Sequence, residues 1–211
     1  MIRAVGFDFD GVLVESVSIK TRAFAQLFAS CEQEVLWRII DYHKKNGGVS
    51  RYEKFRFIHD VILQAPASAE EIQVLGERFS TLVKEAVIAA PWVKGAEDFL
   101  VRHAGRYRLF VISGTPETEL REIIARRGMV DYFEEILGSP RTKEALLREL
   151  LKKYQLQPHE ILFVGDAETD LEASRLAGTR FILRDTVENA TIADRFLGSH
   201  VADLSQLDRY L

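Results

Sequence analysis

The chain has 211 residues, of which 47% are hydrophobic and 28% charged, with a formal net charge of -4. That length and mixture predict a globular protein with a sizeable core, built as one large domain or as a core with a modest insertion. The acidic balance argues against a nucleic-acid partner, which leaves a basic footprint, while a small anionic substrate held by local cations stays open.

The single cysteine, Cys31, rules out an intrachain disulfide and suits a reducing, cytoplasmic setting. The opening MIRAVGFDFD carries a short apolar run that ends in acids, so it reads as neither a signal peptide nor an anchor. No segment approaches the length of a membrane span, and no membrane association is expected.

In chain order, Ile2 to Phe7 predict a short buried strand, stopped by Asp8-Phe9-Asp10-Gly11. From about residue 16 to 90 the apolar spacing is helical. Phe24, Leu27, Phe28 and Cys31 share a face, as do Leu36, Ile39 and Ile40, then Phe55, Ile58 and Ile62, then Ile72, Leu75, Phe79, Leu82 and Val83. Asn46-Gly47-Gly48 and Ala65-Pro66 predict breaks, and Pro91 ends the stretch. Beyond it, apolar runs at Leu109–Ile112, Ile161–Val164 and Phe181–Leu183 predict buried strands, each ending in a polar turn (SGT, GDAETD, RDT). Helical stripes lie between and after them: Leu120, Ile123 and Ile124; Leu146, Leu147, Leu150, Leu151 and Tyr154; Leu171, Ala173, Leu176 and Ala177. Apolar strands alternating with amphipathic helices predict an α/β fold, a parallel sheet flanked by helices, with its site at the carboxyl ends of the strands.

Four polar signals fall at predicted strand ends or just after them: Asp8 with Asp10, Ser113 with Gly114 and Thr115, Lys143, and Asp166 with Asp170. A lone Asp after a strand is ordinarily a turn or a helix cap. The Asp8-Phe9-Asp10 pair is harder to explain so, because its acids stand where a buried strand would otherwise run on. Four acids converging on one sheet edge repel and call for a multivalent cation, and all-oxygen ligands suit Mg²⁺.

The order DFDG, ISGT, Lys143 and GDAETD resembles the haloacid dehalogenase superfamily. The likeness is greatest to its phosphoglycolate phosphatase-like members, which carry a helical cap after the first motif. The motifs run from residue 8 to 170, and the strand and helix order extends the resemblance over the whole chain. It implies a Rossmann-like catalytic core over residues 1–15 and 90–211 and a helical cap domain over 16–89. It implies Asp8 as the nucleophile that forms an aspartyl-phosphate, and Asp10 as the acid and then the base. Mg²⁺ would be held by Asp8, the main-chain carbonyl of Asp10 and Asp166, with Asp170 behind them or bound through water. Ser113 and the Gly114 N–H would hold phosphoryl oxygens, and Lys143 would neutralise the phosphoryl group and orient Asp8. The activity implied is hydrolysis of a small phosphomonoester (phosphoglycolate, a sugar phosphate or a nucleotide monophosphate) by a monomer or homodimer.

Several alternatives stay open. Asp10 favours phosphate over halide chemistry, but a sugar-phosphate mutase uses the same core residues. A phosphate-accepting signalling domain is disfavoured by the length and the insertion, and a non-catalytic binding protein by the intact acids. Ser113 or Thr115 could cap the helix after Pro116, with a cap the better reading for Thr115. Arg141 competes with Lys143 for phosphate. In GGVSRYEKFRF, residues 47–57, Arg51, Lys54 and Arg56 place three cations in six residues. Arg51 or Lys54 could meet a second anionic group of the substrate, and a solvated helix face is the plainer reading. Lys20 and Arg22 are within sequence reach of the site, whereas His43 and His59 read as packing or surface residues.

Overall fold

The computed structural model describes all 211 residues. The first strand, β1 (Ala4–Phe7), is buried along its whole length and stops where Asp8 begins. Every regular element between it and the next strand of the sheet is helical: α1 (Val17–Leu27), α2 (Gln33–Lys45), α3 (Arg51–Phe57), a π-helical turn (Ile58–Ile62), α4 (Ala69–Ile88) and α5 (Ala96–His103). Asn46-Gly47-Gly48 does separate α2 from α3, and Ala65-Pro66 precedes α4. Helix α4 opens with a capping box in which Ser68 and Glu71 satisfy each other's backbone N–H. Its other end is closed by Arg127, whose guanidinium donates to the carbonyls of Val87, Ile88 and Ala90 at 3.0, 2.6 and 2.7 Å.

The rest alternates: β2 (Arg108–Pro116), α6 (Glu117–Arg126), β3 (Glu135–Ser139), α7 (Lys143–Lys153), β4 (Ile161–Gly165), α8 (Glu168–Ala177), β5 (Arg180–Arg184), α9 (Ala190–Ala193) and β6 (Ser199–Val201). The six strands form one parallel sheet in the order β3-β2-β1-β4-β5-β6. Strand β1 lies between β2 and β4, with Phe7 level with Val111 and Val164. The residues that follow these three strands therefore emerge side by side, where the strand order reverses and α/β sheets hold their ligands.

Alternation along the strands sorts the core into two layers. Val5, Phe7, Leu109, Val111, Leu162 and Val164 pack with α5, α6 and the helical insertion. Ala4, Phe110, Ile112, Ile161 and Phe163 face the other way, onto Leu146, Leu147 and Leu150 of α7 and Ala173 and Ala177 of α8.

Three departures from the sequence pattern have physical reasons. Strands β3 and β6 are the two edges of the sheet, and their EILGS and SHV sequences lack the long apolar runs of the central strands. Strand β2 runs through Ser113-Gly114-Thr115 instead of ending before it, with a register shift against β3 between Ile112 and Pro116 that removes those residues from regular pairing. Leu176 does not join the stripe of α8: it is 40% exposed, whereas Ala173 and Ala177 are the apolar residues of that helix buried in the core layer against the sheet.

Phe110 is fully buried between the sheet and α7. Phe110→Ala should lower the unfolding free energy by about 3–5 kcal/mol in urea titration, through lost burial and the cavity left behind.

Candidate active site

The turn after β1 puts Asp8 at the floor of a cavity of about 110 Å³. Its Oδ1 accepts the Phe9 N–H at 2.7 Å, and its Oδ2 meets Lys143 Nζ at 2.8 Å. Lys143 is the first residue of α7, set there by Thr142, whose hydroxyl accepts the Ala145 N–H at 3.2 Å. The same ammonium reaches Asp170 Oδ1 at 2.6 Å. Asp170, fully buried in the first turn of α8, accepts the Ala167 N–H on its other oxygen at 3.1 Å. Asp166 follows β4, and its main-chain carbonyl is held by Asn189 Nδ2 at 2.7 Å. Carboxylate oxygens of Asp8, Asp166 and Asp170 lie within 4.8 Å of one another.

Three buried acids thus share one buried ammonium. Burial is the largest influence on Asp8 and pushes its carboxyl up to about 6, against the pull of Lys143. Burial, then the charges of Asp8 and Asp170, raise Asp166 well above the carboxylate range. The acids hold Lys143 above its ordinary value despite its burial. Two formal negative charges are left over, and every donor is oxygen. That set fits a hard divalent cation.

Asp10 is arranged differently. Ser16 donates to its Oδ1 at 2.5 Å, while Lys20 and Thr115 donate to its Oδ2, Thr115 at 3.2 Å. Burial would raise this carboxyl, but the Lys20 charge and the three hydrogen bonds together hold it below its usual value. Lys20 also donates to Thr115 Oγ1 at 2.8 Å. Thr115 is therefore part of the Asp10 network and no helix cap: Pro116 occupies the capping position of α6. Ser113 is buried, lines the cavity and accepts the Thr115 N–H at 3.2 Å, which leaves its own hydrogen to donate.

The helical insertion covers this floor. Its Gly47 carbonyl accepts from Thr169 Oγ1 at 2.8 Å. Gly48 (φ +75°) lies against Gly114, where a methyl group on Gly114 would overlap the Gly48 carbonyl. Arg51 is buried and grips Glu119 of α6 with two hydrogen bonds at 2.9 and 2.5 Å, and Ser80 of α4 donates to the same carboxylate. Lys54, also buried, contacts only His43 among polar groups: ring Nδ1 at 3.3 Å and the carbonyl at 3.2 Å. Neither cation lies on a solvated face, although Arg56 does.

Other sequence candidates fall elsewhere. Arg141 pairs with Glu117 and Glu149 and does not line the cavity. Arg22 reaches Ser18, and His59 bonds the Ala65 carbonyl. Glu119 and Asn189 are the groups that sequence patterns missed, while His43, read as a packing or surface residue, is buried and also lines the cavity. His43 stacks on Phe24 at 4.1 Å inside the cavity wall, Glu119 reads as an ordinary first-turn acid, and Asn189 lies beyond the last motif.

A family model for haloacid dehalogenase-like hydrolases matches residues 2–178. The chain belongs to this family. Among curated proteins, its match to a phosphoglycolate phosphatase of Vibrio vulnificus spans only 40% of that protein and 42% of this chain, at 31% identity. Protein CbbY of Cereibacter sphaeroides is 30% identical over 94% of this chain and 93% of its own length. Two solved structures share the fold. A predicted phosphoglycolate phosphatase from Haemophilus somnus superposes with a TM-score of 0.74 at 19% identity, covering 99% of this chain and 97% of that one. A β-phosphoglucomutase from Clostridium difficile gives 0.76 at 18%, covering 98% and 93%. No helix is long and apolar enough to cross a membrane.

Burial, and the neighbouring charges of Lys20 and Lys143, lower Lys54 to about 7 against a pull from Asp10. A lysine lowered from 10.5 to about 7 binds fewer protons folded than unfolded between those values, so it costs stability at low pH and the cost disappears as pH rises. Lys54→Met should therefore raise the melting temperature by several degrees at pH 6, with the gain shrinking towards pH 10 in a series of thermal melts.

Proposed function

We propose that the chain is a Mg²⁺-dependent phosphatase that hydrolyses a small phosphomonoester through an aspartyl-phosphate on Asp8. The observation that carries this reading is the single cavity that holds Asp8, Asp10, Ser113 and Asp166 at the sheet edge, with Lys143 bonded to Asp8 at its floor. Asp8 Oδ attacks phosphorus, and the bond from phosphorus to the leaving oxygen breaks. Splitting one displacement into two by way of a carboxylate lowers each barrier. With its Lys20 contact released as substrate binds, Asp10 takes up a proton and gives it to the leaving oxygen, then takes one from the water that attacks the aspartyl-phosphate, a contribution of typically ~10²–10⁴-fold. Ser113 Oγ and the Gly114 N–H donate to phosphoryl oxygens, and Lys143 offsets their charge while keeping Asp8 aimed.

Asp8, Asp166 and the main-chain carbonyl of Asp10 would hold Mg²⁺, which supplies charge neutralisation for the phosphoryl group. The Asp10 carboxylate is committed to Ser16, Lys20 and Thr115, and both oxygens of Asp170 to Lys143 and the Ala167 N–H. We assign Asp170 accordingly to positioning Lys143. Residues 16–89 act as a cap whose closure keeps bulk water from the reacting atoms. The cavity of about 110 Å³ under that cap favours a compact leaving group.

Phosphate release from a panel of phosphomonoesters, with and without Mg²⁺, tests the proposal. Release should need the metal and fall by at least about 10³-fold in Asp8→Asn. Retained turnover in that variant would refute the nucleophile. Isomerised sugar phosphate in place of free phosphate would favour a mutase instead.

A further inference from the structure

The helical insertion brings two buried cations to the cavity wall, and their partners differ. Arg51 is fully neutralised by Glu119. Lys143, the third buried cation of the chain, meets Asp8 and Asp170, and Lys20 meets Asp10. Lys54 meets no carboxylate. Its neighbours are Phe24 of α1, 5.8 Å from Nζ to the ring centre, and the ring and carbonyl of His43 of α2. The charged groups around it are Lys20 from α1, Lys143 from α7 and Asp10 after β1, so two of three repel it.

His43 does not supply the missing charge. Burial first, then the charge of Lys54, lower its imidazole to about 2, so the ring is neutral. An ammonium has hydrogens only to donate, and Nδ1 must therefore be the accepting nitrogen. His43 aims Lys54 without balancing it. Two of the three ammonium hydrogens go to His43, and the third remains for the cavity that Lys54 lines. A buried cation without a counter-charge is costly, and a ligand that brings one recovers that cost on binding.

We propose that the Lys54 ammonium receives a second anionic group of the substrate, a carboxylate or a second phosphate on the part of the molecule that leaves. Arg51, closed by Glu119, is not the reader of that group. The inference rests on the phosphatase reading, and it assigns to this site the class of phosphomonoesters that carry a further negative charge. His43 is a positioning residue that holds Lys54 towards them.

The test compares kcat/KM within two matched pairs. Phosphoglycolate against 2-hydroxyethyl phosphate probes a carboxylate, and fructose 1,6-bisphosphate against fructose 1-phosphate probes a phosphate. Wild-type protein should prefer the doubly anionic member of at least one pair, and the pair that responds identifies the group. Lys54→Met should reduce that preference at least tenfold, mainly through KM, while Lys54→Arg retains most of it. Lys54→Gln replaces the Met variant if that one fails to fold. Equal use of both members by the wild type, or a preference that survives loss of the amine, would overturn the inference while leaving the phosphatase reading intact. If no compound releases phosphate, the phosphatase reading fails separately. Calorimetric binding of the same pairs to Asp8→Asn, with and without Lys54→Met, then decides the subsite: a preference for the doubly anionic member that needs Lys54 supports it, and its absence refutes it.

Discussion

Negative charge concentrated at one buried sheet edge is the constraint on which the rest of the structure turns. Asp8, Asp166 and Asp170 approach within 4.8 Å, and each is buried. A chain can hold them there only by surrounding them with specific donors. The first turn of α7 supplies Lys143, which bonds two of the three. The first turn of α8 gives Asp170 a backbone N–H, and Asn189 ties the Asp166 main chain to the end of β5 through the Arg184 carbonyl. Parallel order makes this possible, because β2, β1 and β4 all release their chains at the same edge.

Two aspartates one residue apart consequently live in different electrostatic surroundings. Asp8 is raised, mainly by burial, to about 6, whereas Lys20, Ser16 and Thr115 hold Asp10 below its ordinary value. Asp8 points at the other acids and Asp10 points at the insertion, whose first helix carries Lys20. The insertion is therefore joined to the surroundings of the site by ionic contacts from its first helix and from its middle: Lys20 to Asp10 and Arg51 to Glu119. Between them Gly47 and Gly48 let backbone lie directly on Thr169 and Gly114, an approach that side chains at these positions would block. Closing backbone over the acids removes water from around them, and every charge interaction beneath gains strength.

Much of this was legible in residue order. The central strands read as uninterrupted apolar runs because both of their faces are covered, and the helices packed on them showed one apolar stripe each. The edge strands β3 and β6 were not legible because their apolar runs are too short to stand out: β3 is covered on both faces, yet Ile136 and Leu137 are its only large apolar residues, and β6 has Val201 alone. Motif positions were readable because two acids one residue apart, standing where an apolar run would otherwise continue, are harder to explain as a turn or a cap than a lone Asp. Thr115 was misread as a cap because its partners, Lys20 and Asp10, are about a hundred residues away in the chain.

The sequence by itself determined the alternating α/β order, the helical character of the insertion and the acids, serine and lysine at strand ends or just beyond, because burial pattern and turn chemistry are local properties of a chain. Only the tertiary structure decided what each charge faces. Arg51 and Lys54 are three residues apart on one short helix, yet one meets Glu119 and the other meets a neutral imidazole. No local pattern distinguishes them, because the partner that neutralises a buried cation is chosen by packing between distant segments.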